Sequence, residues 1–333
     1  MRKESTMTDT NAVLYAIAFL FALTLTVLIG RLIIPLLKDR AEQPIYTEGP
    51  SWHVSKAGTP TMGGLSFMIA ISFTLLLCSL YEVISKSSDR SLSLLICTLY
   101  ALSNALVGII DDRTKLRRKK NGGLSARAKL IAQFTLSALF LIARSYILGE
   151  GTSLTTVFGI FDIGPLYYVI ALVILVGITN CANLTDGIDG LASSVAFAIG
   201  ISTFIISYGI SDSASFISAA LAAGALGFLI FNLHPAAIFM GDTGSLFLGA
   251  VVASLAFELK NPFISVISGG VYVIEGVSVI LQVIFYKITK KRLFKMAPIH
   301  HHLEKCGWDE NKICIVATVL TLIFGATLRI CIV

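Results

Sequence analysis

The sequence predicts an all-α polytopic integral membrane protein, and three observations carry that reading. Of 333 residues, 55% are hydrophobic and only 14% are charged, where a soluble domain carries about 25% charged residues. Apolar runs close to the roughly 20 residues a helix needs to cross a bilayer recur along the whole chain. Lysine and arginine gather in alternate connecting loops instead of spreading evenly. No soluble domain fits between the runs, so a single membrane-embedded domain over residues 1–333 is expected. The six cysteines (Cys78, Cys97, Cys181, Cys306, Cys314, Cys331) are scattered and show no Cys-x-x-Cys spacing. That pattern points to neither a disulfide framework nor a zinc cage.

Ten candidate spans follow in order: about 13–34, 60–81, 91–110, 129–148, 165–183, 191–210, 214–232, 243–257, 264–286 and 313–332. The first run is too long for a signal-peptide core, and no small-residue cleavage site follows it, so it is expected to stay as a span. The eighth is short, which suggests tilt or burial within protein. There is no internal repeat of the kind that inverted-repeat transporters usually carry.

Ten alternating spans place the loops near 35–58, 111–128, 184–190, 233–242 and 287–312 on one side. With residues at the span edges, these loops hold 19 of the 26 Lys and Arg residues. The positive-inside rule makes that side cytoplasmic and puts both termini outside, although Arg2 and Lys3 oppose it. The expected location is thus multi-pass in a membrane, with these loops on its cytoplasmic side. Part of the net charge of +6 serves topology and anionic headgroups, and no nucleic-acid partner is expected. Topology does not explain why Asp111, Asp112, Asp186, Asp189 and Asp242 sit among these basic residues.

Each loop on this side has its own signature. The first has Lys56 and then Gly58-Thr59-Pro60-Thr61-Met62-Gly63-Gly64. A glycine-rich turn with a lysine suits phosphate, but this is not a Walker loop, and alone it also reads as a span-entry turn. The second is Asp111-Asp112-Arg113-Thr114-Lys115. Neighbours on a helix point about 100° apart, so the two carboxylates divide their work: one near a metal or acceptor phosphate, one holding Lys115 or a second phosphate. A solvated salt-bridge cluster is the plain alternative. Next comes Asn183-Leu-Thr-Asp186-Gly-Ile-Asp189-Gly190. On a helix its two carboxylates share a face, and Gly187 and Gly190 admit a close backbone or ligand, although Asp-Gly is also a common turn pair.

The seventh junction gives Asn232, His234, Pro235 and then Phe239-Met240-Gly241-Asp242-Thr243-Gly244-Ser245. Asp242 opens a helix, where free N–H donors attract phosphate and the carboxylate can take Mg²⁺. Phe239 offers either a flat face to a base or ordinary packing. The last loop reads Met296-Ala-Pro-Ile-His300-His301-His302-Leu-Glu304. Consecutive side chains diverge, so one tetrahedral ion does not take all three imidazoles, and contacts to phosphate or sugar oxygens fit better.

Four of these motifs occur in one order, each on the same side: Asp111-Asp112-x-x-Lys115, the Asn183–Gly190 stretch, Phe239–Ser245 and Met296–Glu304. Together they resemble the polyprenyl-phosphate N-acetylhexosamine-1-phosphate transferases over nearly the whole chain. The triple histidine narrows the resemblance to the branch that transfers phospho-N-acetylmuramoyl-pentapeptide. The one departure within the motifs is conservative, Ile188 standing where the family often has Leu. The resemblance implies a Mg²⁺-dependent enzyme of peptidoglycan synthesis. UDP-N-acetylmuramoyl-pentapeptide and undecaprenyl phosphate would give lipid I and UMP, and a homodimer stays open. It implies that Asp242 holds Mg²⁺ and that Asp111 and Asp112 act at the acceptor phosphate, one of them as a base. It also implies that Lys115, His300, His301 and His302 steady the diphosphate and sugar. Lys56, Thr61, Lys129, Asn183, Asp186, Asp189, Asn232 and Phe239 would line the substrates. Phosphoryl transfer is mostly positioning and charge neutralisation. A phosphate monoester, with its second pKa of about 6, is already largely ionised. Direct attack by the lipid phosphate is therefore expected over an aspartyl intermediate.

Two rivals remain at the level of sequence. A sister enzyme would use UDP-N-acetylglucosamine with the same carboxylates. An ion-coupled transporter would use intramembrane acids, and Glu275, in the ninth run, is the residue that would serve it. A hydrogen-bonded Glu275 packed inside the bundle is the alternative.

Overall fold

A computed structural model describes residues 2–38, 58–85, 87–118 and 122–332. Lys56 lies outside the described residues. The elements in order are α1 (Arg2–Lys38), α2 (Leu65–Ile84), α3 (Ser88–Arg118), α4 (Ala126–Ile147), β1 (Ser153–Thr156), β2 (Gly159–Asp162), α5 (Leu166–Thr185), α6 (Leu191–Ser207), α7 (Asp212–Asn232), α8 (Gly241–Glu258), α9 (Phe263–Ser268), α10 (Gly270–Thr289), α11 (Ile299–Glu304) and α12 (Glu310–Ile332).

Every apolar run of the sequence is helical, and among the described residues eight helices are long and apolar enough to cross a membrane. The protein is therefore an all-α multi-pass membrane protein. Two of the ten runs fall short of that measure. Helix α6 has 17 residues, and α8 is absent from the eight.

Helix α8 has 18 residues, and its short apolar run is packed within protein, as the sequence suggests. Every residue from Thr243 to Phe257 is buried, because α8 is enclosed by α3, α5, α7 and α2. Its small residues, Gly244, Ser245, Gly249, Ala250, Ala253 and Ser254, let neighbouring backbones come close, which is how helices associate where lipid is as apolar as leucine. At Gly64 the approach is closest, since a β-carbon there would lie 2.2 Å from the Gly244 Cα. The outer helices show the complementary pattern. On α4, Ile131, Leu139 and Ile142 are exposed, as lipid-facing side chains are.

Two elements differ from the sequence reading. The ninth run, expected as one span over 264–286, is broken into α9 and α10 at Gly269–Gly270. Two adjacent glycines are poor helix formers, and Gly270 sits against the ring of Phe324, where a β-carbon would be 2.6 Å away. The loop after α4 is a two-stranded antiparallel hairpin with Ser153 opposite Asp162 and Thr156 opposite Gly159.

Candidate active site

The acids collect at one end of the bundle, where the last turns of α3 meet the first turns of α4 and α8. The neighbours Asp111 and Asp112 do diverge. Asp111 is fully buried. Its Oδ2 lies 2.7 Å from Lys115 Nζ and 3.0 Å from Lys129 Nζ, and its Oδ1 accepts the Leu124 N–H at 2.6 Å. Asp112 turns to α8. Its Oδ1 accepts the Asp242 N–H at 3.1 Å, and its Oδ2 accepts the Thr243 N–H at 2.9 Å and the Thr243 hydroxyl at 2.7 Å. Asp112 thus caps the start of α8 across the bundle, supplying the acceptor that the orphan N–H groups of a helix need. Two of the N–H donors that the sequence leaves open to phosphate are taken by this carboxylate.

Asp242 keeps a little exposure, its side chain 15% accessible. Its Oδ2 lies 2.5 Å from Lys129 Nζ and 3.2 Å from Lys115 Nζ, and its Oδ1 accepts from Asn183 Nδ2 at 3.1 Å. Asn183 also donates to Ser245 Oγ at 2.8 Å, which ties the end of α5 to the first turn of α8. The preceding residue, Gly241, has φ +72°, and a β-carbon there would meet Asp112 Oδ2 at 2.7 Å and Thr61 Oγ1 at 2.9 Å. Only glycine suits both the backbone and the space. Thr61 is thereby placed, buried, beside the acids. One oxygen each of Asp111, Asp112 and Asp242 lies within 4.8 Å of the others. Three carboxylates against two ammonium groups leave this centre one negative charge in excess.

Asp186, in the loop after α5, feels that charge. It is partly buried, and burial pushes its carboxyl up to about 8, with Asp242 and Asp112 adding to the rise. Two loops are laced together beside the acids. The Phe239 N–H donates to the Pro60 carbonyl at 2.8 Å, Gly63 N–H to the Phe239 carbonyl at 2.8 Å, and Gly64 N–H to the Met240 carbonyl at 3.0 Å. This lacing fixes the backbone of the half-buried Phe239, three residues before Asp242.

Asp189 and Asn232 have partners of their own away from the three carboxylates. Asp189 is three residues from Asp186, yet its Oδ2 lies 2.9 Å from His234 Nδ1 and accepts the Ala236 N–H at 3.1 Å. Glu310, at the start of α12, accepts the Asp189 N–H at 2.8 Å and approaches His234 Nδ1 to 3.6 Å. These three side chains form a second cluster, separate from the three aspartates. Asn232, expected at the substrates, is buried and spends its amide on scaffold. It accepts from Gly190 N–H and Ser193 Oγ at 3.2 and 3.1 Å, and it donates to the Ile238 carbonyl at 3.0 Å. These bonds tie the start of α6 to the segment after α7.

The three histidines go three ways. His300 is fully buried, with Nδ1 3.0 Å from Glu275 Oε2. His301 Nδ1 lies 2.6 Å from Glu304 Oε2, and His302 Nδ1 accepts the Lys295 N–H at 3.1 Å. Glu275 is thus a hydrogen-bonded residue packed inside the bundle, positioned to orient His300. Gly187 admits the histidine itself, since a β-carbon there would lie 2.2 Å from His300 Nε2. Gly187→Ala should therefore push His300 off Glu275 and cost about 1–3 kcal/mol of stability, the usual effect of overpacking. A fall in the thermal midpoint of the detergent-solubilised protein checks this, and an unchanged midpoint would show that the ring has room to move.

Glu310 is the site-end residue the sequence reading passed over. An acid in the first turn of a helix is ordinary, so nothing local marks it. Its partner Asp189 is 121 residues away.

Comparison with known proteins agrees with this geometry. Residues 91–260, which carry the α3 acids, the Asn183–Gly190 loop and Asp242, match the model for glycosyl transferase family 4. Residues 56–67 match signature 1 of the phospho-N-acetylmuramoyl-pentapeptide-transferases, so the glycine-rich turn that is weak alone is specific in context. The chain is 41% identical over 313 residues to the phospho-N-acetylmuramoyl-pentapeptide-transferase of Clostridium kluyveri, covering 91% of this chain and 96% of that one. It is 44% identical over 303 residues to that of Clostridium perfringens, covering 89% and 90%. It is 39% identical over 321 residues to that of Caldicellulosiruptor bescii, covering 96% of each. With its acids, its signature turn and its length all accounted for in this way, the chain belongs to the phospho-N-acetylmuramoyl-pentapeptide-transferase family.

Proposed function

We propose that the chain transfers phospho-N-acetylmuramoyl-pentapeptide from its UDP conjugate to undecaprenyl phosphate, releasing UMP and forming lipid I. In the step itself, an oxygen of the lipid phosphate attacks the β-phosphorus. The bond from that phosphorus to the bridging oxygen breaks, and the electron pair leaves with UMP. The observation that carries this reading is the convergence of Asp111, Asp112, Asp242, Lys115 and Lys129 at one end of a membrane bundle. There a lipid phosphate and a soluble nucleotide can meet.

The residues suit Mg²⁺, which prefers hard oxygen donors and is usually held by one or two carboxylates plus substrate phosphates. Asp242 would hold the ion, with Asp111 close enough to share it. When bound, it supplies neutralisation of the diphosphate. Lys115 and Lys129 already bridge Asp111 and Asp242, and they are placed to swing to phosphate oxygens as substrate enters. Asp112 is committed to α8 and keeps Asp242 in place. Asp186 and Asn183, beside the metal end, and Phe239 are the proposed contacts to the uridine half, with Asp189 holding that loop's shape. The basic loops at this end make it cytoplasmic, in a bacterial inner membrane. That orientation puts the start of α1 and the far end of α12 outside, with α6 and α8 completing ten spans.

UMP release by the purified protein with Mg²⁺, undecaprenyl phosphate and each UDP-sugar tests the assignment. Release with UDP-N-acetylmuramoyl-pentapeptide and not with UDP-N-acetylglucosamine is expected. The reverse preference would make the chain a sister transferase, and uptake without UMP release would make it a transporter. His301→Ala should slow turnover about 10- to 100-fold, as loss of a hydrogen bond to a charged group costs about 1.5–3 kcal/mol. The variant should still insert and fold, because His301 sits on a one-turn helix at the surface of the site. Wild-type turnover in that variant would take the histidine out of the substrate contacts.

A further inference from the structure

The end of the bundle opposite the acids carries a feature that the transfer reaction does not use. In the hairpin β1–β2, Val157, Phe158, Ile160 and Phe161 are all exposed, Phe158 by 88%. The only charged side chain from Thr152 to Ile163 is Asp162. Its carboxylate is engaged locally, accepting from Thr152 Oγ1 at 2.5 Å and from the Gly164 N–H at 3.0 Å. A lone two-stranded hairpin is marginal in water unless an apolar face is packed, yet β2 is exposed along its whole length. Its base is nonetheless fixed. The Thr155 N–H donates to the Lys260 carbonyl at 3.1 Å, and Asn261 Nδ2 donates to the Thr155 carbonyl at 2.9 Å.

What covers the tip follows from its two faces. Successive strand residues point to opposite sides, so Ile160 and Phe161 present apolar surface on both sides of the ribbon. A protein partner docked on a ribbon covers one side, whereas immersion in an apolar phase covers both. The hairpin also follows, in the chain, a helix end that exposes apolar side chains. The last turn of α4 exposes Tyr146 by 87% and Ile147 by 57%, and the hairpin follows directly. Aromatic residues favour the level of the headgroups.

We propose that the hairpin tip is an interfacial membrane anchor. Phe158, Ile160 and Phe161 are seated at the headgroup–acyl boundary of the leaflet at this end of the bundle. The inference requires only that the chain spans a bilayer, and it stands apart from the proposed reaction and orientation.

Phe158→Trp in the full chain, reconstituted in phosphatidylcholine vesicles, tests it, with the emission of Trp52 and Trp308 in the parent protein subtracted. The added emission is expected to be blue-shifted, quenched by lipids brominated near the headgroup end of the chains and shielded from aqueous iodide. Adding Ile160→Asp to that variant should shift the emission to the red and restore iodide quenching. Red-shifted, iodide-quenched emission from Phe158→Trp alone would overturn the proposal. So would blue-shifted emission that brominated lipid leaves untouched, which would mean protein covers the tip. The tip is exposed, so the substitution has no packing to disrupt, and Ile160→Trp provides a second probe with the same expected result.

Discussion

Asp242→Asn should lower initial UMP release by about 10²–10³, the usual consequence of losing one electrostatic contact in a preorganised site, roughly 3–4 kcal/mol. The change keeps the shape and removes the charge. Oδ1 faces Asn183 Nδ2, and Oδ2 faces Lys129 and Lys115. An amide can keep the first contact but turns a donor or a weaker acceptor to the ammonium groups. With Asp242 as the proposed holder of Mg²⁺, the apparent Mg²⁺ midpoint should rise, and added Mg²⁺ should recover part of the rate. Asp112→Asn should behave otherwise. Its carboxylate accepts three hydrogen bonds from the start of α8, so the variant should lose stability, by about 1 kcal/mol for a weakened cap, and its lost rate should not return with Mg²⁺. The measurement is UMP release across a Mg²⁺ titration for both proteins. Full activity with an unchanged midpoint in Asp242→Asn would remove that residue from the metal site.

The contrast between those two aspartates shows what the sequence could and could not convey. Asp242, between glycines at the start of a helix, advertises its position locally, and so does the Asp111-Asp112 pair at the end of a span. That Asp112 spends its charge on Thr243 is invisible, because the two residues are 131 positions apart and no local pattern encodes the meeting. The same holds for Asp189. The Asp186–Asp189 spacing suggests a shared helical face, but α5 ends at Thr185. The loop then takes its own course, and His234 and Glu310 claim Asp189. Gly187 was legible as a place for close approach, but not that His300 makes it.

For the fold, apolar run length located every long helix, because in a membrane a backbone must satisfy its own hydrogen bonds and helices do so within one segment. The break at Gly269–Gly270 and the hairpin at 153–162 are where that logic weakens. The glycine break lies inside protein, and the hairpin lies at the bundle end away from the site, outside the apolar runs whose length carries that logic.

Arg144→Met should be the most destabilising single change at the far end of the bundle, by about 3–5 kcal/mol, because removing one partner strands a buried charge. Arg144 is 2% exposed. Its Nη1 lies 2.5 Å from Glu258 Oε1, its Nη2 lies 2.5 Å from Glu150 Oε1, and the Phe257 carbonyl accepts from Nη2 at 3.2 Å. The guanidinium also lies between the rings of Phe140 and Phe257, 5.6 and 5.8 Å from their centres. Methionine fills much of the volume but leaves Glu258, with a side chain only 5% exposed, facing an apolar group. Lysine should not rescue it, since one ammonium cannot reproduce a planar fork between two carboxylates. Removing both charges in Arg144→Met/Glu258→Leu should recover most of the loss, because buried ion pairs replaced by apolar residues of similar volume are often neutral or better. Glu150 stays 30% exposed and can hydrate. The comparison is the rate of thermal inactivation of these variants and the wild type in lipid nanodiscs, since many large proteins unfold irreversibly and a rate is the usable measure. UMP release per folded molecule should stay at the wild-type level throughout, as the cluster sits at the end of the bundle away from Asp242. A single variant as long-lived as the wild type would mean that water reaches Glu258 and that the pair contributes no more than a surface salt bridge, about 0–1 kcal/mol.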